Sequence, residues 1–113
     1  MQHILITGIT GFIGKAVLEK IIDNKNYVIH AIVRPGTNPS RYQNFGKSIQ
    51  IEEIDLSDSM GLAAYLAKHE FDYIIHIGAI RGGRRFSKLH YFQSNVVSVE
   101  VMADYCTRHG ARL

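Results

Sequence analysis

Gly8, Gly11 and Gly14 stand at a fixed spacing between an apolar run and a helical pattern. The run His3-Ile4-Leu5-Ile6 reads as a buried strand, and apolar residues recur at helical spacing from Ile13 to Ile22. Strand, glycine loop and helix in that order constrain the chain more than any other feature. They open a right-handed crossover unit, which requires a parallel neighbouring strand and an α/β sheet. Each glycine has its own reason. Gly8 ends the strand and lets the chain turn where a side chain would obstruct it. Gly11 lets backbone come close to a pyrophosphate, and Gly14 lets the new helix lie tight on the sheet. With Thr10, Phe12 and Ile13 they form a loop at a helix N-terminus, where unpaired N–H groups and a positive dipole end suit phosphate. The other reading of the loop is a tight strand–helix turn without a ligand.

Length allows one domain with a modest core, since the chain has 113 residues. Hydrophobic residues at 46% and charged residues at 20% describe a globular chain, not a disordered one. A net charge of +3 without a long basic run argues against a nucleic-acid partner. Cys106 is the single cysteine, so no internal disulfide can form and a reducing compartment is expected. No apolar run approaches the ~20 residues of a membrane span. The N-terminus reads as a strand and not as a charged-then-apolar leader. A cytoplasmic protein without a membrane or nucleic-acid partner is the expectation.

The remaining elements follow in α/β order. The first helix is expected over residues 12–24 and a second strand over residues 27–33, where a nearly continuous apolar run suits a strand covered on both faces. Residues 35–48 read as a loop. Arg41 and Lys47 within it either help to hold a phosphate or are simply solvated. A third strand is expected over residues 49–54, near the sheet edge. Ser57 or Asp58 then caps a helix with Leu62, Tyr65, Leu66 and His69 on one face. Residues 71–79 form the fourth strand and its exit. A basic loop with Arg81, Arg84 and Arg85 follows, placed to touch phosphates or else solvated. Residues 90–109 form the last helix, with one stripe of Phe92, Val96, Val99, Met102, Ala103 and Cys106 and a second of Val97, Val101 and Tyr105.

Arg34 lies at the end of the second strand, 20 residues after Gly14. General NAD sites place Asp or Glu near here to bond the adenosine 2′-hydroxyl. An arginine fork suits the 2′-phosphate of NADP instead. NADP is therefore the expected cofactor, with NAD as the alternative, and a solvated arginine is the bland reading. His76 lies within an apolar strand and reads as a satisfied core residue, not a base. The six histidines show no metal-ligand spacing.

The motif Thr7-Gly8-x-x-Gly11-x-x-Gly14 resembles that of the short-chain dehydrogenase/reductase superfamily, and more narrowly its extended type, the NAD-dependent epimerase/dehydratase group. The resemblance implies a Rossmann-like, doubly wound parallel sheet of order 3-2-1-4 with helices on both faces. Asp55-Leu56 resembles the family's Asp-Leu pair, whose aspartate lies near the adenine amino group; a turn role is the alternative for Asp55. Residues 72–79 look like its Asp-x-Val-Ile-His-Leu-Ala-Ala stretch, with Gly78 in place of the first alanine and Ala79 retained. Small residues there let a cofactor ribose lie against the backbone. Asn95-Val96 resembles the family's Asn-Val, with a structural or cofactor-side role for Asn95. The resemblance further implies a homodimer formed through helix 90–109.

Members act on a hydroxyl or carbonyl substrate, such as a nucleotide sugar, with a Ser or Thr after strand five and Tyr-x-x-x-Lys on the next helix. Tyr-x-x-x-Lys does not occur in this chain; Tyr65 and Lys68 have the wrong spacing. No catalytic residue is therefore assigned. Residues 1–113 are expected to be an NAD(P)-binding domain truncated before its fifth strand, without turnover alone. A stand-alone nucleotide-binding regulatory module and a partner-completed fragment are the alternatives. Ala111-Arg112-Leu113 reads as the approach to that fifth strand.

Overall fold

The structure is a computed structural model and describes residues 1–45, 48–80 and 86–113. Its centre is β1 (Gln2–Thr7), flanked by β2 (Tyr27–Val33) and β4 (Tyr73–His76), with β3 (Ile49–Glu53) beyond β2 at the edge. The order is β3-β2-β1-β4, and all pairs are parallel. Leu5 pairs with His30 on one side and with Ile74 on the other. Ile4, Leu5 and Ile6 are all buried, as a strand covered on both faces requires. Alternation then divides them between two cores. Ile6 joins Leu18, Ile29 and Ala31 beneath α1 (Phe12–Ile21), while Leu5 joins Leu62, Leu66 and Met102 beneath the helices of the other face.

The first helix ends at Ile21, three residues before the expected 24. Asn24 Oδ1 accepts the Asn26 N–H at 2.9 Å, and this local bond offers the backbone a turn in place of another helical residue. The 35–48 stretch contains two short 3₁₀ turns, Pro39–Arg41 and Gln43–Phe45. Helix α2 (Ser59–Ala67) is capped by Asp58, whose carboxylate accepts the Gly61 N–H at 2.9 Å. A Cβ on Gly61 would lie 2.3 Å from that carboxylate, so the glycine makes room for the cap. His69 falls beyond the helix end, on the turn into β4.

The last helix is not one regular cylinder. It runs as α3 (Lys88–Phe92), a π-helical segment over Gln93–Val97, and α4 (Ser98–His109). Its buried line passes through Ser94, Ser98, Met102, Tyr105 and Cys106, whereas Phe92, Val96 and Val99 of the expected stripe are exposed by 52%, 42% and 37%. The π segment takes more residues per turn, so one spacing cannot run through from 92 to 106. Gly110 ends α4 at φ 74°, a left-handed C-cap. The chain then returns beside β4: Arg112 N–H donates to the Asp72 carbonyl at 3.0 Å, and Ile74 N–H donates to the Arg112 carbonyl at 2.7 Å.

Candidate functional site

The loop after β1 is fastened before it meets any ligand. Gly8 has φ +81°, and a Cβ on it would lie 2.7 Å from the Gly78 nitrogen. A Cβ on Gly14 would lie 1.8 Å from the Gly8 carbonyl oxygen, so Gly14 seats the helix directly on the turn. Gly11 differs. Its φ of −87° and ψ of 172° suit any residue, and its nearest would-be neighbour is at 3.5 Å. Nothing in the protein requires glycine there, so the space over Gly11 is a cradle that a side chain would fill. Among the described residues no side chain caps α1, and its first-turn N–H groups are open to an acceptor. Phe12 and Ile13 lie on this open turn, 89% and 63% exposed.

Thr7 ties the loop to the exit of β4. Its Oγ1 accepts N–H bonds from Ile77 at 3.1 Å and Gly78 at 2.9 Å. The hydroxyl proton is then left for His76 Nδ1, at 2.7 Å. This puts the imidazole proton on Nε2, and burial pushes the His76 pKa down, so the ring is neutral. His76 is a satisfied structural residue, as its place in an apolar strand suggested. A Cβ on Gly78 would lie 3.0 Å from Thr7 Oγ1 and 3.1 Å from Leu56 Cδ1, so smallness at Gly78 already serves the fold.

Beyond the carboxyl ends of β1, β2 and β4 lies a cleft of about 240 Å³. It is lined by Gly8, Thr10, Arg34, Asp55, Leu56, Gly78 and Ala79 from the sequence reading. That is less than the ~300–1,000 Å³ of pockets that enclose a whole small ligand, so the cleft suits part of an extended molecule. Gly11, Phe12, Ile13 and Gly14 stand at the helix terminus beside it, not in its wall. Asn95 is not in the wall either: its amide donates to the Ile80 carbonyl and accepts the Ile80 N–H, both at 2.8 Å, which fixes the β4 exit.

The β2–β3 end of the cleft is polar and mostly cationic. The Arg34 guanidinium lies 5.8 Å from the Phe86 ring centroid, within cation–π range. Asp55 Oδ1 accepts both the Ser57 N–H at 2.9 Å and the Ser57 hydroxyl at 2.8 Å. Burial pushes the Asp55 pKa up, but these two bonds and the charges of His90 and Arg34 outweigh it, and the carboxyl is held below its ordinary value. Asp55 is thus ionised, with Oδ2 free of partners among the described residues. Arg41, which the sequence left between phosphate contact and solvation, reaches back to the Thr10 carbonyl at 3.1 Å and lines the cleft. Lys47 and the arginines of the 81–85 loop lie outside the described residues. Thr37, Ile80 and Ser94 also line the cleft and were not singled out in the sequence. Of these, Thr37 had a signal, its place in the turn after Arg34; its hydroxyl donates to the Arg34 carbonyl at 2.5 Å.

Residues 4–113 match the family model described as the NAD dependent epimerase/dehydratase family. The chain belongs to that family. Its relatives include the UDP-glucose 4-epimerase of Caenorhabditis elegans, 30% identical over 98% of this chain and 36% of that enzyme. Among solved structures, the UDP-Glc/GlcNAc 4-epimerase of Campylobacter jejuni superposes with a TM-score of 0.79 at 23% identity, over 97% of this chain and 35% of that one. The UDP-glucose 4-epimerase of Bifidobacterium longum, solved with NAD+ and UDP, has a TM-score of 0.72 at 23% identity over 97% and 35%. The family fold is therefore present as a Rossmann-like sheet, and the chain spans about a third of these relatives.

Proposed function

We propose that this chain binds NADP through the Gly8–Gly14 loop and supplies the cofactor-binding part of an epimerase, dehydratase or oxidoreductase acting on a nucleotide sugar. The observation that carries the reading is the cleft itself, where a glycine loop at an uncapped helix N-terminus meets Arg34, Arg41 and an ionised Asp55. The helix terminus and the space over Gly11 receive the pyrophosphate. Asp55 Oδ2 accepts from the adenine amino group, and Leu56 lies along the base. Gly78 and Ala79 bring backbone close to a ribose. Arg34, steadied on Phe86, pairs with a 2′-phosphate where a carboxylate would instead select a 2′-hydroxyl.

NADP, once bound, would supply hydride transfer, and the residues of this chain hold and orient it. Likeness to UDP-glucose 4-epimerases supports a nucleotide-sugar substrate. Acid–base residues of the Tyr-x-x-x-Lys kind would come from outside this chain. The exposed Phe92, Val96 and Val99 support a homodimer through the last helix, and the cytoplasm suits a protein of this composition.

Arg34→Asp tests the cofactor choice. The wild-type chain should bind NADPH more tightly than NADH. The substitution should lower NADPH affinity at least about tenfold, because one charge-assisted pair becomes a repulsion. Unchanged NADPH affinity in Arg34→Asp would refute the 2′-phosphate role.

A further inference from the structure

At the end of the sheet opposite the cleft, the fold gathers histidines that lie far apart in the chain. His30 sits in the middle of β2, 3% exposed, where its strand neighbours Ile29 and Ala31 are apolar. Register places it beside Leu5, and alternation puts His3 on the same face. The two imidazoles meet there, with His3 Nδ1 3.0 Å from His30 Nε2. Neither ring's other nitrogen has a hydrogen-bond partner among the described residues. A buried imidazole that uses one nitrogen of two, and spends it on another imidazole, is a polar group that packing alone does not explain.

The surroundings favour a cation. The recess over the pair, about 700 Å³, is lined by Lys68, His69 and His109, which mark the C-terminal ends of α2 and α4. Both helices therefore direct their negative dipole ends toward it. Glu70 and Asp72 on the same wall offset Lys68 and the Met1 amine. His69 Nδ1 lies 2.8 Å from the Tyr65 carbonyl, so that nitrogen carries the proton and Nε2 keeps a bare lone pair. A backbone carbonyl orients metal-site histidines in the same way. The His69 ring stands edge-on to His30, with centroids 5.3 Å apart. Imidazole nitrogen suits zinc, copper and nickel, whereas magnesium and calcium take oxygen ligands.

We propose that His3 Nδ1 and His30 Nε2 together bind one divalent transition-metal ion, with water in the remaining positions. Among the described residues no group of three or more His, Cys, Asp or Glu side chains is placed to hold a metal, so the protein's share of the coordination is this pair. Two nitrogens on one tetrahedral zinc lie about 3.3 Å apart, so the rings need to open by only about 0.3 Å and turn their lone pairs to a common point. The proton between them moves to the outer nitrogen of the ring that held it, and both imidazoles stay neutral. His69 Nε2 is the acceptor on this wall for a metal-bound water. The site is independent of the reading of the cleft.

The test is calorimetric titration of the full 113-residue chain with zinc chloride at neutral pH, beside His3→Gln, His30→Gln and His90→Gln, with melts in EDTA to establish folding. The wild-type chain should bind a single zinc ion saturably and melt higher with zinc than without it. His3→Gln and His30→Gln should each weaken zinc binding at least about tenfold. His90→Gln, on the cleft side, should bind as wild type, and magnesium chloride should give no saturable binding. If His30→Gln does not melt cooperatively, His3→Gln decides, because His3 lies at the partly exposed start of β1. No saturable zinc binding by the wild type overturns the proposal. So does wild-type affinity in His3→Gln, or an equal loss in His90→Gln, which would mark adventitious binding to surface imidazoles.

Discussion

Gly11 and Gly14 share a motif but not a physical role. A methyl group on Gly14 would collide with the Gly8 carbonyl at 1.8 Å, while one on Gly11 meets nothing nearer than 3.5 Å. Gly14→Ala should therefore cost on the order of 3 kcal/mol of folding stability, visible as a lowered melting temperature. Gly11→Ala should melt close to wild type and lose dinucleotide affinity instead. Equal destabilisation by the two would refute the division. The turn at Gly8, the tight seat of the helix at Gly14, and the places of Arg34 and Asp55 at strand ends were legible because backbone needs and charge are written in residue type and spacing. Arg41 was left open between phosphate contact and solvation, and Ser94 was not singled out. Arg41 enters the cleft only because a 3₁₀ turn swings it back to Thr10, and no local pattern announces that. Ser94 looks in sequence like any helix serine, and burial distinguishes it only once the helix is in place.

At the level of elements, strands proved easier to read than helix faces. Tyr27–Val33 is nearly continuous apolar sequence, broken only by His30, and forms β2 at the expected boundaries. The last helix misled because one period was drawn through a π-helical segment, which turned Phe92 and Val96 outward. Asn95 holds that segment to the β4 exit through two bonds. Asn95→Ala should strand the partly buried Ile80 backbone groups and cost about 1–3 kcal/mol. Chemical denaturation would check this. A change below about 0.5 kcal/mol would show that the segment is held in place by packing alone.

The whole molecule carries the cleft at one end of the sheet and a histidine cluster at the other. His30, 3% exposed on β2, has its Nε2 3.0 Å from His3 Nδ1 and its ring centroid 5.3 Å from that of His69. Burial, then His69 and His3, lowers its pKa from 6.5 to about 4. The folded chain therefore binds fewer protons than the unfolded chain between those values. The stability due to neutral His30 is complete above pH 6.5 and is lost as pH falls through 6.5 toward 4. That shift corresponds to roughly 3 kcal/mol, and His30→Gln should flatten the pH dependence of the melting temperature across the window. An equally steep dependence in the variant would place its origin elsewhere.

The cluster is remote from the cleft, so acid stability should be separable from any binding at the cleft. The most direct measurement on the cleft is calorimetric titration of the wild-type chain with NADPH, beside Gly11→Asp. A carboxylate in the open space over Gly11 would meet the pyrophosphate directly. Binding by the wild type, and at least about a tenfold loss in a Gly11→Asp variant that still melts cooperatively, is the expected result. Equal binding by the two folded proteins, or none by the wild type, would contradict a dinucleotide site at the Gly8–Gly14 loop.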